Sequence, residues 1–527
     1  MVRKKSPNDH PKMPPVYGSL ACHQCVITLT EEVWKWFMKQ YIDELKSREK
    51  GRIMSKAPNV LFLFTDQQRF DTIHALGNER IITPALDEIA EAATVFDCCY
   101  TSSPVCVPAR FSLFSGKYPA RTGCNNNNAS YVFDGEGVYA QFTKNGYQTC
   151  NVGKMHHPDT YASMGFEKRW TQEELHDPDD DYTKFMMNSP YSYVFDYNGM
   201  RSEMYYIPQI SQLPVSHHPT QWVGDHSVEF LENCDPEKPF FLMSSFIHPH
   251  PPFAPPTPWQ KMYRSVSDDP YMPENVAEFA SFMSDRFVTS SIGISRQDLT
   301  LLRNYYYSCI SFVDYQISRI IQVLKDRGMY DNTIIVFSSD HGEMLGDFGT
   351  MGKRSMLEGA AHIPLLIRVP GQEHCRRADV CSLVDVPTTL FACAGIPYDK
   401  ADYDGINLFE DTDREEVYAQ YSTGDKGTYM VASKDDKLVW SGPYQQYYYF
   451  NTKPEDTNKY DPGNPRVAYL QEKLRAYMAS DIGVNGSNAT NAVSGRSKFP
   501  YGPKRADHRM RHDDELAAMP VGYPIDL

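Results

Sequence analysis

The chain has 527 residues, 41% of them hydrophobic, which is enough for a substantial core spread over about two domains. Lysine and arginine total 52 against 67 aspartate and glutamate, so the formal net charge is −15. This acidic balance, without a basic tract beyond a few N-terminal residues, argues against nucleic-acid and anionic-membrane partners.

The sequence contains no apolar stretch long enough to span a bilayer, and no continuous apolar core of a secretory signal near its beginning. Its 12 cysteines are scattered rather than arranged as a dense framework, which fits a reducing compartment. We therefore expect a cytoplasmic protein that acts without a membrane partner.

Residues 1–53 precede the first predicted strand and form an N-terminal extension. Thr28 and Glu31 can form a capping box, and apolar side chains then recur at helical spacing, which predicts an amphipathic helix over residues 31–46. The apolar face of this helix is expected to dock on the body of the protein or on a second subunit, so a homo-oligomer is one expectation.

A short apolar run begins at Asn59 and ends abruptly at Asp66 and Gln67, as a buried parallel strand does at its carboxyl end. Further along, Cys106 opens the run Cys-Val-Pro-Ala-Arg, which closes with Arg110. A cysteine is by default a small packing residue, so this run indicates a reactive centre only if other segments support it.

Polar side chains recur in the middle of the chain. Lys154 and His156 form a Gly-Lys-x-His pattern, and His250 lies in a proline-rich loop after the apolar strand predicted over residues 240–246. Asn127 belongs to a run of four asparagines, which is also typical of a polar loop that turns the chain.

A second β-branched run begins at Thr333 and ends at Asp340 and His341. If this strand and the one that ends at Asp66 are parallel in one sheet, their polar residues emerge together at its carboxyl edge, where open α/β sheets bind ligands. Two carboxylates, the Gln67 amide and an imidazole suit a divalent cation. Calcium is the first expectation, and manganese and magnesium are the alternatives.

Together these segments resemble the signature of the sulfatase family, over residues 57–460. The run at Cys106 is the centre of the resemblance, Lys154 and His156 match the family's Gly-Lys-x-His pattern, and Lys353 stands where the family keeps a lysine on the sulfate group. The resemblance implies that a formylglycine-generating enzyme oxidises the cysteine to formylglycine, whose hydrated aldehyde attacks sulfur. The implied substrate is a small-molecule or saccharide sulfate ester.

The same resemblance implies roles for the basic residues. Lys154 and Lys353 are expected to hold sulfate oxygens, and Arg110 to anchor the formylglycine. Either His250 or Lys353 is expected to protonate the leaving oxygen, and His156 to act as the base when the aldehyde re-forms.

Two positions depart from the usual family pattern, which often has aspartate at Gln67 and asparagine at His341. The nearest rival is a phosphonate monoester or phosphodiester hydrolase of the same superfamily, which can share these ligands, although Lys154 and His156 favour sulfate. A rival from another class is a catalytically silent interaction protein. The family's asparagine contact to sulfate falls, by counting, on Asn127.

The resemblance implies an α/β fold like that of alkaline phosphatase, with a mainly parallel sheet flanked by helices and a smaller C-terminal α+β domain. We expect the catalytic domain over residues 54–400, the C-terminal subdomain over 401–480 and a flexible tail over 481–527. Within the subdomain, the residue pattern predicts strands over 431–440 and 446–450 and a helix over 467–478.

The leaving group is expected to contact residues 157–222 and 253–300, which are rich in tyrosine, proline, methionine and aspartate. Aromatic side chains there can stack on a ring or enclose an ammonium group. The candidates are Tyr182, Tyr191, Tyr193, Tyr205 and Trp222.

Overall fold

The computed structural model describes residues 57–127, 130–131, 133, 135–157, 160–201, 205–264, 269–276, 287–288, 293–410, 413–485 and 493–494. The predicted helix over residues 31–46 lies outside the described residues, as do the extension of 1–53 and most of the tail of 481–527. Within the described ranges, none of the helices has the length and apolarity needed to cross a membrane.

Strands are numbered here along the chain. They are β1 (Asn59–Asp66), β2 (Thr94–Tyr100), β3 (Ser130–Tyr131), β4 (Gln148–Gly153), β5 (Lys168–Thr171), β6 (Phe240–Pro249), β7 (Phe287–Val288), β8 (Thr333–Ser339), β9 (Thr350–Met351), β10 (Leu365–Arg368), β11 (Cys375–Ser382), β12 (Val417–Tyr421), β13 (Thr428–Ala432), β14 (Lys437–Ser441), β15 (Gln446–Phe450) and β16 (Val493–Ser494).

The α-helices are numbered in the same way. They are α1 (Pro84–Glu91), α2 (Cys106–Ser115), α3 (Pro119–Thr122), α4 (Val138–Lys144), α5 (Asp181–Met187), α6 (Pro219–Asn233), α7 (Arg296–Asp326), α8 (Glu358–Ala361), α9 (Asp385–Ala394), α10 (Pro465–Ser480) and α11 (Ile482–Asn485). Short 3₁₀ turns lie at His74–Leu76, Val215–His217, Trp259–Lys261, Tyr330–Asn332, Asp347–Gly349, Lys400–Asp402 and Gly424–Lys426.

The main sheet has eight strands in the spatial order β11-β2-β10-β8-β1-β6-β4-β5. Its neighbours run parallel except at β10, which is antiparallel to both β8 and β2. The predicted mainly parallel sheet is therefore confirmed. Because β1 and β8 are parallel neighbours with Thr65 opposite Ser339, the residues that follow each strand emerge side by side at the carboxyl edge.

Strand β1 is apolar on both faces because the sheet is covered on both sides. Val60 and Phe62 belong to one core cluster, into which α2 and α4 also pack, whereas Leu61 and Leu63 belong to a second cluster with residues of α6 and α7. A strand buried on both faces is continuously hydrophobic rather than alternating, which is why the run from Asn59 signals a parallel sheet.

A second sheet of four antiparallel strands, β12 to β15, packs against α10. The prediction of one strand over residues 431–440 is wrong, because the chain turns between β13 and β14. The backbone N–H of Ser433 donates to the Asp436 carbonyl at 2.8 Å, and the two side chains also form a hydrogen bond. This local bonding closes a hairpin turn in place of a continuous strand.

Candidate active site

Four potential metal ligands lie together at the carboxyl edge of the main sheet. Asp66 ends β1, Asp340 and His341 follow β8, and Cys106 begins α2. One ligand atom from each of these buried side chains lies within 4.8 Å of the other three. The parallel pairing of β1 with β8 thus brings together residues that are far apart in sequence.

Cys106 is 1% exposed and faces several charged groups. Its Sγ lies 2.8 Å from Nζ of Lys353 and 3.2 Å from Nε2 of His341. Burial and the Asp66 carboxylate raise the pKa of the thiol, but Lys353, Lys154 and His341 outweigh them, so that the pKa lies well below its usual value. The surroundings therefore favour a negative charge at this position.

Arg110, one turn along α2 from the cysteine, is buried beneath the site. Its Nε donates to Asp340 at 2.9 Å and its Nη2 to Asp66 at 3.1 Å, while its Nη1 donates to the Lys154 carbonyl and to Ser245. The guanidinium fork thus ties together residues in or directly after four neighbouring strands, β8, β1, β6 and β4. This bonding places one positive charge against two buried carboxylates, in a geometry that a lysine could not reproduce.

Gln67 has a left-handed backbone with φ of 68°, and its backbone N–H donates to Asp340 at 3.0 Å. Its side-chain Nε2 donates to Glu343. Its Oε1 is buried and has no hydrogen-bond partner among the described residues. A buried amide oxygen without a donor, in the residue that follows Asp66 and bonds to Asp340 through its backbone, fits a site for a hard divalent cation.

Lys154 is fully buried at the end of β4. Its Nζ lies 2.7 Å from Asp66 and 3.1 Å from Glu174. Burial lowers the pKa of this ammonium, but Asp66 and Glu174 raise it well above the usual value, so the group stays charged. Gly153 makes this placement possible, because a Cβ on Gly153 would lie 2.0 Å from the Ser245 carbonyl oxygen.

His250 is buried in the loop after β6. Its Nδ1 lies 2.7 Å from the carbonyl of Pro251, which fixes the proton on Nδ1 and leaves Nε2 as the ring nitrogen without a proton. That Nε2 is 3.6 Å from Glu174 and 3.4 Å from the hydroxyl of Tyr205. Burial lowers the pKa of His250, and the nearby Glu174 only partly opposes this effect.

Two other predicted residues have partners outside the cluster around Cys106. The backbone N–H of His156 approaches Glu173 at 3.3 Å. Burial raises the pKa of Glu174, but His250, Lys154 and Arg201, with a smaller contribution from His156, hold it well below its usual value. Asn127 Oδ1 accepts from the backbone N–H of Val107 at 3.1 Å, so it supports the first turn of α2.

Sequence reasoning missed three charged residues near the site. Glu174 pairs with Lys154, His250 and Arg201, and Glu343 bonds to the side chain of Gln67. An isolated glutamate or arginine in a polar loop has no periodicity or motif to mark it. Of the three residues, only Glu343 had a signal in the sequence, because it follows closely on Asp340 and His341 after β8.

Of the five aromatic residues proposed for the leaving group, two pack in a core cluster and one reaches the site. Tyr182 and Trp222 are buried in a core cluster at 1% and 5% exposure, so they are packing residues. Tyr205 instead reaches the site, where its ring lies 5.2 Å from the guanidinium carbon of Arg201 and its hydroxyl lies beside His250.

Comparison with known proteins decides the family. The sulfatase family model matches residues 58–396, well over half of the chain. The protein belongs to the sulfatase family. Among its relatives in that family, the arylsulfatase of Clostridium perfringens (strain 13 / Type A) is 29% identical over 437 residues, which cover 76% of this chain and 88% of the relative.

Other sulfatases and solved structures agree with this assignment. The choline-sulfatase of Rhizobium meliloti (strain 1021) is 27% identical over 452 residues, covering 80% of this chain and 85% of the relative. A crystal structure of a phosphonate monoester hydrolase of Agrobacterium radiobacter matches 81% of this chain and 96% of its own, with a TM-score of 0.69 and 22% identity. At that identity, the likeness shows the fold alone.

The protein is thus a sulfuric ester hydrolase by family, as the resemblance implied. The expected alkaline-phosphatase-like architecture is also confirmed, with helices on a mainly parallel sheet and a separate antiparallel sheet.

Proposed function

We propose that this sulfatase hydrolyses a sulfate ester with a formylglycine nucleophile made from Cys106 and with one bound divalent cation. The observation that carries the proposal is the convergence of Asp66, Asp340 and His341 on the Cys106 thiol, with Lys353 Nζ at 2.8 Å from Sγ. A thiol that only packed in the core would have no need of ion pairs and an ammonium around it.

Formylglycine would supply a hydrated aldehyde, one hydroxyl of which attacks sulfur while the other later expels sulfate. Its formation requires a formylglycine-generating enzyme as a maturation partner. Arg110 holds Asp66 and Asp340 in place beneath the nucleophile. His156, next to the Glu174 carboxylate, is the proposed base for the second half of the reaction.

The cations of the site would stabilise charge on the sulfate oxygens and on the leaving oxygen. Lys353 is adjacent to the nucleophile, and Lys154 has a third N–H beyond those directed at Asp66 and Glu174. His250 presents Nε2 toward the same group of residues, and an approaching sulfate ester, which is a monoanion, would favour its protonated form. His250 or Lys353 then protonates the leaving oxygen, and Asn127 remains a proposed sulfate contact.

The residues that would hold the cation are Asp66, Gln67, Asp340 and His341, with the oxidised Cys106 as a further ligand. When bound, the cation supplies Lewis-acid chemistry at the nucleophile. We propose calcium, and manganese or magnesium as alternatives, because carboxylate and amide oxygens predominate in the set. Removal of the ion with a chelator is expected to abolish turnover, and calcium is expected to restore it.

The proposed substrate is a small-molecule or saccharide sulfate ester. Two relatives are named for aryl and choline sulfates, and one solved structure of the same fold is a complex with its substrate D-glucosamine-2-N,6-O-disulfate. The cation-rich surroundings of Cys106 support an anionic ester, and the nearby Tyr205 gives a surface for a ring or an ammonium group.

The test compares kcat/KM for matched aryl sulfate and aryl phosphonate esters. The protein is co-expressed with a formylglycine-generating enzyme, and Cys106→Ala serves as the control. A preference for sulfate that disappears in the variant is the expected result. A preference for phosphonate would move the protein to the rival activity, and turnover that survives in Cys106→Ala would refute the nucleophile.

A further inference from the structure

Glu343 is a fully buried carboxylate that accepts four hydrogen bonds. Its Oε2 accepts from Gln67 Nε2 and from the Tyr206 hydroxyl at 3.1 Å. Its Oε1 accepts from the backbone N–H of Leu345 at 3.0 Å and from that of Gly352. Two oxygens that each accept two donors use all the lone pairs of an ionised carboxylate.

The Gln67 amide, in contrast, has two unlike ends. Its NH₂ can only donate and its oxygen can only accept, so one end faces Glu343 and the other faces away. Because Glu343 only accepts, it selects the NH₂ end. The amide oxygen is then left without a partner among the described residues, next to Asp66 in sequence.

We propose that Glu343 is a positioning residue that orients the Gln67 amide so that its oxygen, and not its nitrogen, faces the cation. The inference rests on the proposed function, since it assumes a cation bound by Asp66, Asp340 and His341. A carboxylate ligand has two equivalent oxygens and would need no such neighbour. An amide ligand does, because the wrong orientation presents N–H groups to a positive ion.

The isosteric variant Glu343→Gln tests this role. The backbone N–H groups of Leu345 and Gly352 are fixed donors, so they select the oxygen of the new amide. Its NH₂ then points at Gln67, which has to turn its own oxygen toward position 343 and its NH₂ toward the cation. Loss of such an orienting partner typically weakens metal binding about 10- to 100-fold.

Exchanging the two side chains should reverse the defect. In Gln67→Glu combined with Glu343→Gln, the new amide at 343 donates to one oxygen of the new carboxylate at 67. The other carboxylate oxygen faces the cation. The double variant is therefore expected to bind the cation at most about threefold more weakly than the wild type does. Tighter binding is also consistent with the inference, because affinity rises with the charge of the ligand set.

The measurement is calorimetric titration of calcium chloride into chelator-treated, full-length protein, repeated with manganese chloride. Tyr206→Phe is the matched control, because it removes another donor to the same Glu343 oxygen and leaves the Glu343 carboxylate in place to select the NH₂ end of the amide. We expect its dissociation constant to stay within about twofold of the wild type, well below the effect expected for Glu343→Gln.

Melting temperatures of the metal-free variants give a second readout. Gln67→Glu alone places two carboxylates against each other, so this single variant is expected to be less stable than the double variant, in which an amide donates to a carboxylate. If a single variant does not fold, recovery of folding in the double variant supports the same pairing.

Three outcomes would overturn the inference. Unchanged cation affinity in Glu343→Gln would show that the amide does not need this neighbour. A double variant as weak as Glu343→Gln would show that the glutamate acts by another route. A wild-type protein that binds neither cation would remove the metal from the proposed function as well, whereas cation binding without sulfate turnover would leave this inference standing.

Discussion

At the scale of single residues, the site is a set of paired opposite charges. Removing one member of a pair is expected to lower the stability of the protein. Arg110, Lys154 and Lys353 face Asp66, Asp340 and Glu174, and most of these groups are excluded from water. A buried charge that loses its partner destabilises the protein much more strongly than an exposed one does. Structural and catalytic roles therefore have to be separated by the choice of readout.

Lys353→Ala and His250→Ala are expected to lower kcat by about two to four decades on alkyl sulfates, because each removes a proton donor or a positive charge from the reacting oxygens. Nitrophenolate is a good leaving group that departs without being protonated. The kcat of the variant that lacks the general acid should therefore fall far less on nitrophenyl sulfate than on alkyl sulfates. Steady-state kinetics on both esters identifies which residue is the acid.

The exposed Lys144 provides the control, and Lys144→Ala should retain wild-type kcat on both esters. If Lys353→Ala and His250→Ala both turned over at wild-type rates, neither residue would belong to the mechanism.

Arg110→Ala is expected to lower the free energy of unfolding by about 3–5 kcal/mol, because buried Asp340 would lose its arginine counter-charge and buried Asp66 would keep only Lys154. Urea unfolding of chelator-treated protein measures the loss. Arg121→Ala, at an exposed ion pair, is the control and should cost less than about 1 kcal/mol. Equal losses in the two variants would contradict a buried structural role for Arg110.

At the scale of elements, the ends of strands determine where the functional groups lie. Lys154 follows β4 at a point where Gly153 has φ of 100° and a Cβ would meet the Ser245 carbonyl oxygen at 2.0 Å. Close packing of β4 on β6 and the position of the lysine are thus two results of one backbone geometry.

Gly153→Ala is expected to reduce both stability and turnover. The positive φ alone costs about 1–3 kcal/mol, and the clash with Ser245 has to move β4 and with it Lys154. Gly146→Ala is a matched control, because Gly146 also has a positive φ, 82°, but has no atom within 4 Å of its Cβ position. A fall in melting temperature of the same size in both variants, with full turnover, would argue against the clash.

The strand ends are also what the sequence could predict. Apolar runs that stop at Asp66 and at Asp340 identify parallel strands whose polar ends converge, and the structure brings these residues together. Glu174 was beyond prediction, because its partners are far from it in the chain and its segment has no periodicity. The turn at Ser433 was missed because its side-chain hydrogen bond, rather than its hydropathy, ends the strand.

At the scale of the whole molecule, a buried ionic network joins the antiparallel sheet to the catalytic sheet. Lys437 on β14 donates to Glu358 at the start of α8 at 2.7 Å and also pairs with Glu455. Tyr100, at the end of β2, donates to the same Glu358 at 2.8 Å. The position of one sheet relative to the other is thus fixed by hydrogen-bonded charges as well as by apolar packing.

Lys437→Met is expected to lower the free energy of unfolding by about 3–5 kcal/mol, because it removes the ammonium that pairs with two buried carboxylates. The loss is measured by urea unfolding at neutral pH. Lys459→Met, at a lysine that is 38% exposed, is the control and should change stability by less than about 1 kcal/mol. If Lys437→Met kept the free energy of unfolding of the wild type, apolar packing alone would fix the position of one sheet relative to the other.

The burial of Cys106 has a consequence for the timing of biosynthesis. At 1% exposure in the first turn of α2, the thiol is closed to any enzyme once the main sheet has formed. We therefore expect oxidation of the proposed nucleophile to precede folding. Folded protein with an intact thiol should stay inactive when mixed with the maturation enzyme, whereas a chain that refolds in its presence should gain the aldehyde, as mass spectrometry can detect. The yield of active molecules would then depend on the rate of modification relative to the rate of folding.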